Sequence, residues 1–354
     1  MPGLLRDDLT DRQVAVCPPQ FEPNPQHVFN ENGVSNDHQN VAPQPRQPRD
    51  LQGLLRFAMD TTRAEDAPGP SNFAALDEER RKFLEDALKS MTIDVIEVLV
   101  KQIKVFDDVG NVTATSSINQ YTEAFYTIME YVDNIDVAND FYEIGGFTII
   151  DPCLKSPHPK IKAGACELLA ELCQNNPFCQ MIVLDNDFLP VIVDILNKDE
   201  DDDVCVKALY AISCIVRENM EGCQKFLDLE GLEIMLRTIK RNNDKLRTKS
   251  AFFLDSLCGM RRDIVEKLMN LGFIPVLISI LGEEHLPSHE LIMSLMKIMI
   301  ENSPEAANVC KNPIHDLKNI LKDIYEFSKD KEEYYEEVEY CQHLLNHLFP
   351  GWNN

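Results

Sequence analysis

Positive charge is scarce in this 354-residue sequence: 34 lysines and arginines stand against 59 aspartates and glutamates, a formal net charge of -25 at pH 7. Such a chain repels phosphate backbones and anionic lipid at long range, which argues against nucleic acid and membrane surfaces as partners. Long apolar runs are missing too, and no stretch approaches the ~20 residues that a membrane span needs. The opening segment sets Leu4 and Leu5 among Arg6, Asp7, Asp8 and Asp11, without the basic start and apolar run of a secretory signal. The eleven cysteines occur singly, none in a CxxC pair, and read as reduced thiols rather than a disulfide framework. The expected compartment is therefore the cytosol. GxGxxG, GxSxG, HExxH and the GxxxxGK phosphate loop are all absent. With them go the usual phosphate cradles and activated nucleophiles, so no cofactor and no enzyme activity are expected.

What the sequence does have is helical periodicity. Residues 1–49 are rich in Pro, Asn and Gln (Pro18, Pro19, Pro23, Pro25, Pro43, Pro45, Pro48) and carry no apolar period, the composition of a disordered tail. Asp50 then caps a short amphipathic helix over 51–58, where Leu51, Leu54, Leu55 and Ala58 fall on one stripe. That stripe either docks on the chain's own core or serves as a partner-binding peptide. From Asp77 onward the spacing of Phe83, Leu84, Ala87 and Leu88, then Ile93, Ile96, Val100 and Ile103, is that of core-facing helical positions.

Internal repeats decide the architecture. Phe147, Phe188, Leu232 and Phe273 anchor similar segments, with spacings of 41, 44 and 41. A second landmark, reading small-x-x-x-Leu, recurs at Ala124, Ala165, Ala208, Ser250 and Leu291 with spacings of 41, 43, 42 and 41. A period near 42 with a turn, one helix, a polar loop and a longer helix is the armadillo or HEAT signature. The expected fold is all-α: an armadillo-repeat right-handed solenoid with helical caps and a disordered N-terminal tail. Its parts are the tail with the short helix (1–72), an N-terminal helical cap (73–118), about five repeats (119–315) and a C-terminal helical cap (316–354).

A solenoid presents a concave face that is a binding surface by construction. In an armadillo repeat the positions two, six and nine past the small residue of the long helix line that face. Here they are Glu167, Glu171 and Gln174, then Tyr210, Cys214 and Arg217, then Phe252, Ser256 and Gly259, and last Met293, Lys297 and Ile300. Armadillo grooves that hold extended peptides carry asparagine at the sixth position, because its amide pairs with both N–H and C=O of a peptide. None of Glu130, Glu171, Cys214, Ser256 and Lys297 is asparagine. The groove is therefore expected to take a folded surface, with Glu167, Glu171, Tyr210, Arg217, Phe252 and Ser256 as contact residues and Tyr210, Arg217 and Phe252 as anchors. Tyr210 and Phe252 are also candidates for plain seam packing.

The remaining titratable clusters read as structure. His285 and His289 are four apart, but Pro287 interrupts the helix that would align them. His343 and His347, near Glu339 and Cys341, fit a partly exposed C-terminal helix better than a metal site. The acidic run from Asp199 to Asp203 lacks the glycine turn of a calcium loop and reads as a solvated connection between repeats.

Several of these segments resemble the heat shock protein 70-binding protein family, the armadillo-repeat nucleotide exchange factors of cytosolic heat shock protein 70 chaperones. They are Asp50 to Leu55, Asp77 to Arg81, Val206 to Glu218, Lys249 to Leu254 and Glu333 to Cys341. The likeness spans roughly 50–348, and the tail departs from it by being Pro/Asn/Gln-rich rather than glycine-rich. What the resemblance implies is a monomeric co-chaperone whose concave face grips the chaperone's nucleotide-binding domain and promotes ADP release. The N-terminal tail would favour release of bound polypeptide, and a contact between the tail and the substrate-binding domain stays open. The competing reading is an armadillo scaffold that regulates a ubiquitin ligase or another partner without touching a nucleotide.

Overall fold

The computed structural model describes residues 94–352 together with Lys82, within a compact unit of residues 78–354 that is distinct from residues 1–77. The tail, the helix read at 51–58 with Leu51, Leu54 and Leu55, and the apolar positions from Phe83 to Ile93 lie outside the described residues. Among the described residues every regular element is helical. After α1 (Val95–Lys104) and α2 (Asn119–Val132), helices follow in triplets of two short and one long. The first three triplets are α3 (Ile135–Glu143), α4 (Ile150–Leu154), α5 (Pro159–Cys173); α6 (Pro177–Asp185), α7 (Phe188–Lys198), α8 (Asp202–Val216); and α9 (Met220–Asp228), α10 (Gly231–Ile239), α11 (Asp244–Met260). Then come α12 (Asp263–Asn270), α13 (Phe273–Leu281), α14 (Ser288–Asn302) and α15 (Pro304–Cys310), α16 (Leu317–Ser328), α17 (Tyr335–Leu348).

Local chemistry explains the boundaries. In four of the five triplets the first helix is capped by a short polar side chain that accepts from its first free N–H groups: Asn134 for α3, Asn176 for α6, Asn219 for α9 and Ser303 for α15, whereas α12 follows Arg262 without a side-chain cap. Asp201 and Asn243 do the same for the long helices α8 and α11. The turn before the second helix always contains one left-handed residue: Gly145, Gly272, and in the other turns Asp187, Glu230 and Asp316. Their spacings of 42, 43, 42 and 44 repeat the period, and the last extends it to α16. The segment read as a C-terminal cap is thus built like another repeat.

The long helices α2, α5, α8, α11, α14 and α17 pack side by side in that order. Ala124, Ala165, Ala208 and Ser250 are buried where neighbours meet, and the anchors Phe147, Phe188, Leu232 and Phe273 are buried at or just before the start of the second helices. A fully buried apolar side chain contributes about 1.5–3 kcal/mol, and each repeat buries its faces only against its neighbours.

In α14 the register is shifted by one position from the sequence reading. The buried positions of α11 are Leu246, Arg247, Ser250, Ala251, Phe253, Leu254, Leu257 and Cys258. Those of α14 are Ser288, His289, Ile292, Met293, Leu295, Met296, Met299 and Ile300, a uniform offset of 42. Ile292, not Leu291, therefore takes the place of Ser250. Met293 and Ile300, expected on the concave face, are core residues, and Met293 Sδ lies 3.3 Å from Cys341 Sγ of α17. Leu291 and Leu295 imitate the repeat landmark in spacing alone, because Leu295 is the counterpart of Phe253.

Polar ties hold successive repeats in register. Gln180 Nε2 donates to the carbonyls of Cys173 and Cys214 (3.3 and 2.8 Å), and Asn219 Nδ2 donates to Gln180 Oε1 at 3.1 Å. Arg247, 3% exposed, donates to Glu283 and to the Arg241 carbonyl. The acidic run is structural: Asp199 pairs with Lys162, Asp201 caps α8 and Asp202 pairs with Arg241. His285 and His289 meet despite Pro287, with ring centroids 5.2 Å apart, and His285 Nε2 lies 2.9 Å from buried Glu337. His343 turns to Glu301 while Cys341 faces the core, so these two side chains do not converge. The single tryptophan, Trp352, seals the end of the stack, donating to Asn346 and standing edge-on to Tyr325.

Replacing Gln180 by leucine leaves the Cys214 carbonyl and the Asn219 amide without partners inside the stack. A buried unsatisfied group costs about 1–3 kcal/mol, so Gln180→Leu should lower unfolding stability by roughly 2 kcal/mol. Urea unfolding followed by circular dichroism measures it; an unchanged midpoint would show that the tie is dispensable.

Candidate partner-binding groove

The polar stripe of the long-helix layer follows from helical geometry. Residues at i, i+3, i+7 and i+10 share a face, and the small buried residue fixes which face that is. Two, six and nine positions past it come Tyr126, Glu130 and Asp133 at α2; Glu167, Glu171 and Gln174 at α5; Tyr210, Cys214 and Arg217 at α8; and Phe252, Ser256 and Gly259 on α11. On α14 the corrected register places Ser294, Ile298 and Glu301 there.

Five of the six predicted contact residues are drawn into pairs that cross from one repeat to the next. The Tyr210 hydroxyl donates to Glu171 Oε1 at 3.2 Å and to Gln174 Oε1 at 3.1 Å. Lys207 pairs with Glu167. Lys249 Nζ stands 4.8 Å from the Tyr210 ring centroid, and the Arg217 guanidinium stands 5.2 Å from that of Phe252. Cation–π contacts of this kind contribute about 0.5–1 kcal/mol at exposed sites. Phe252 remains 45% exposed, so it is no mere seam residue, whereas Tyr210 is half-buried and divides its surface between packing and groove. Ser256 is half-buried on the same stripe. Cys214 is 4% exposed, and burial pushes its thiol up to about 11, so it lines the floor as an apolar residue.

Arg217 is the distinctive group. It ends α8 as its C-cap and lines a cavity of about 160 Å³ with Gln174, Asn175, Pro177, Gln180, Cys214 and Glu218. Its Nε is buried and finds no acceptor among the described residues, nor does its guanidinium make an ion pair there. A half-buried cation stacked on an aromatic ring, with donors to spare, is the type of group that dominates protein interfaces. Sequence reasoning missed Lys207 and Lys249, which immediately precede the small residues Ala208 and Ser250 from which it counted. The clue was available, because the same cation stands in the same place in two successive repeats.

Burial sets the electrostatics. The Glu171 carboxyl is pushed above the ordinary glutamate range by desolvation and by Glu167 and Asp133, against the opposing pull of the Tyr210 hydroxyl. Lys249 is held below the ordinary lysine range by desolvation and by Lys207.

Fold and groove together define an armadillo-type solenoid whose long-helix face carries a built aromatic and charged surface. A designed armadillo repeat protein superimposes with a TM-score of 0.55 at 13% identity, over 71% of this chain and 99% of its own. An engineered protein of known structure gives 0.58 at 16% identity, over 73% and 100%. The SIL1/FES1/HPBP1 C-terminal domain matches residues 137–269, and the nucleotide exchange factor Fes1 family matches residues 51–141. Hsp70-binding protein 1 from Mus musculus is 28% identical over 316 residues, which is 87% of this chain and 88% of that one. The Homo sapiens protein of that name is 28% identical over 315 residues, and nucleotide exchange factor SIL1 from Rattus norvegicus is 24% identical over 174. Between them, these two models of the SIL1/FES1/HPBP1 and Fes1 families match residues 51–269 of the chain.

Because the Tyr210 hydroxyl holds the Glu171 carboxylate, Tyr210→Phe should move the Glu171 titration to still higher pH. A carboxyl whose folded pKa is raised keeps its proton when the unfolded chain has lost it, so its contribution to stability falls as pH rises through that window. Side-chain carbon NMR of Glu171 reads the change; a midpoint at or below that of the parent would contradict the role given to Tyr210.

Proposed function

We propose that this chain is a co-chaperone that binds the nucleotide-binding domain of a heat shock protein 70 through its concave face and promotes release of ADP. The observation that carries the reading is the family match over 51–269, a span that contains all six groove residues named from the sequence. The chain's relatives bear the names Hsp70-binding protein 1 and Hsp70 nucleotide exchange factor FES1. We place the protein in the cytosol as a monomer; the free, buried thiols of its ten described cysteines are in keeping with a reducing compartment.

The mechanism needs no bond chemistry in this chain. A binding protein shifts an equilibrium only through its different affinities for two states. If the groove prefers a nucleotide-binding domain whose lobe is displaced from the closed, ADP-bound arrangement, then it must weaken ADP by the factor by which ADP weakens it. A coupling of about 1–3 kcal/mol corresponds to roughly 5–150-fold. In this scheme Arg217 supplies charged hydrogen bonds to an acidic or carbonyl surface, Phe252 and Tyr210 supply contact area, and Glu167 and Glu171 fix the orientation of the ring and the lysines. Ser256 lies beside them as a small polar contact. Residues 1–72 act separately, with Leu51, Leu54 and Leu55 as the apolar face of a segment that favours polypeptide release at the substrate-binding domain.

Calorimetric titration of the nucleotide-binding domain, apo and saturated with ADP, tests the reading. Affinity should fall at least fivefold with ADP, whereas a scaffold without exchange activity binds both forms alike. Arg217→Glu, in a protein that keeps its helical signal, should weaken binding to the apo domain by tenfold or more; full affinity would remove Arg217 from the interface. Deleting residues 1–72 should leave the ADP effect intact and slow the release of a fluorescent peptide from the full chaperone. Equal peptide release would take that task away from the tail.

A further inference from the structure

The groove is not uniformly acidic like the chain as a whole. On α2 and α5 the stripe carries Glu130, Asp133, Glu167 and Glu171, with Lys160 as the opposite charge at the far end of α5. On α8 and α11 it carries Lys207, Lys249, Lys245 and Arg217, with Asp203 at the start of α8, Glu218 beside Arg217 and Asp255 toward α14 as the opposite charges. Each set acts as a neighbourhood. Glu171 feels Glu167 and Asp133, and Lys249 feels Lys207 and Lys245. The two sets meet along one line, where Lys207 pairs with Glu167 and Lys249 covers the ring of Tyr210, whose hydroxyl reaches Glu171.

In a protein of net charge -25, four cations on two adjacent helices of one face are a local concentration of positive charge against the overall balance. Clustered like charges cost free energy in the free protein, and an oppositely charged partner surface recovers it. We propose that the groove is a two-signed docking surface that fixes the orientation of the bound chaperone domain: an acidic patch of the partner faces α8 and α11, and a basic patch faces α2 and α5. The proposal rests on the exchange-factor reading and adds to it the charge pattern of the surface that is gripped. The division also accounts for Tyr126, which is 63% exposed at the acidic end and supplies an aromatic contact there at the position equivalent to Tyr210 and Phe252.

The test is stopped-flow association of the full-length protein with the isolated nucleotide-binding domain at low and at physiological salt. Glu130→Lys with Asp133→Lys reverses the acidic half at the C-terminal end of α2, where cations suit the helix dipole. Lys245→Glu, alone and with Lys249→Glu, reverses the basic half at the start of α11, where an acidic side chain suits it equally. Glu266→Lys with Asp228→Lys changes the net charge as the first variant does, from exposed positions off the stripe. Each groove reversal should slow association about tenfold at low salt, with the gap narrowing as salt rises, while the off-stripe variant stays within about twofold. The single Lys245→Glu exchange, at an exposed residue, keeps the test valid if the double variant folds poorly. Groove reversals that behave like the off-stripe variant overturn the two-signed surface and leave the exchange-factor reading standing. A parent protein that neither binds the domain nor speeds its ADP release overturns both.

Discussion

The helical stack depends on how closely one long helix can approach the next, and that distance is set at the buried waist residues Ala124, Ala165, Ala208 and Ser250. Because successive residues of a helix are rotated by about 100°, fixing the buried face fixes the exposed one. Tyr210, Arg217 and Phe252 stand where they do because they lie two or nine positions from that waist. The polar ties of Gln180 and Arg247 then lock neighbouring repeats against sliding. Packing, register and groove are a single constraint seen from different sides.

The groove is held together by contacts that are individually weak. An exposed ion pair contributes about 0–1 kcal/mol, and the Lys207–Glu167 pair is about a third exposed. Their collective effect is preorganisation: Tyr210 is held by two acceptors and a lysine, and Phe252 by a guanidinium, before any partner arrives. Side chains already ordered lose less entropy on binding. A rigid, prearranged face is what a protein needs in order to prefer one lobe arrangement of its partner over another, since a compliant surface adapts to both and shifts nothing.

Much of this was legible in the sequence. Period and helix class follow from the recurrence of Phe147, Phe188, Leu232 and Phe273, and the shared stripe on α5, α8 and α11 follows from counting past Ala165, Ala208 and Ser250. The count failed at α14, where Leu291 imitates a landmark that belongs to Ile292, and the shift by one position turned core residues Met293 and Ile300 into supposed groove residues. Lone side chains gave no warning, because a buried methionine and a groove methionine look alike until the whole set of buried positions is compared. The meeting of His285 with His289 was equally hidden, since it depends on the path of the chain through Leu286 and Pro287 rather than on helical spacing. Polar ties between neighbouring repeats, such as Gln180 with Asn219, are invisible to periodicity altogether.

The claim that this groove acts by weakening nucleotide binding is tested most directly by stopped-flow release of fluorescent ADP from a cytosolic heat shock protein 70. With increasing amounts of this protein, the release rate should rise and saturate, and Arg217→Glu should abolish most of the rise. Release that is unchanged while the two proteins form a stable complex would contradict the account and leave a folded armadillo scaffold whose task is binding alone.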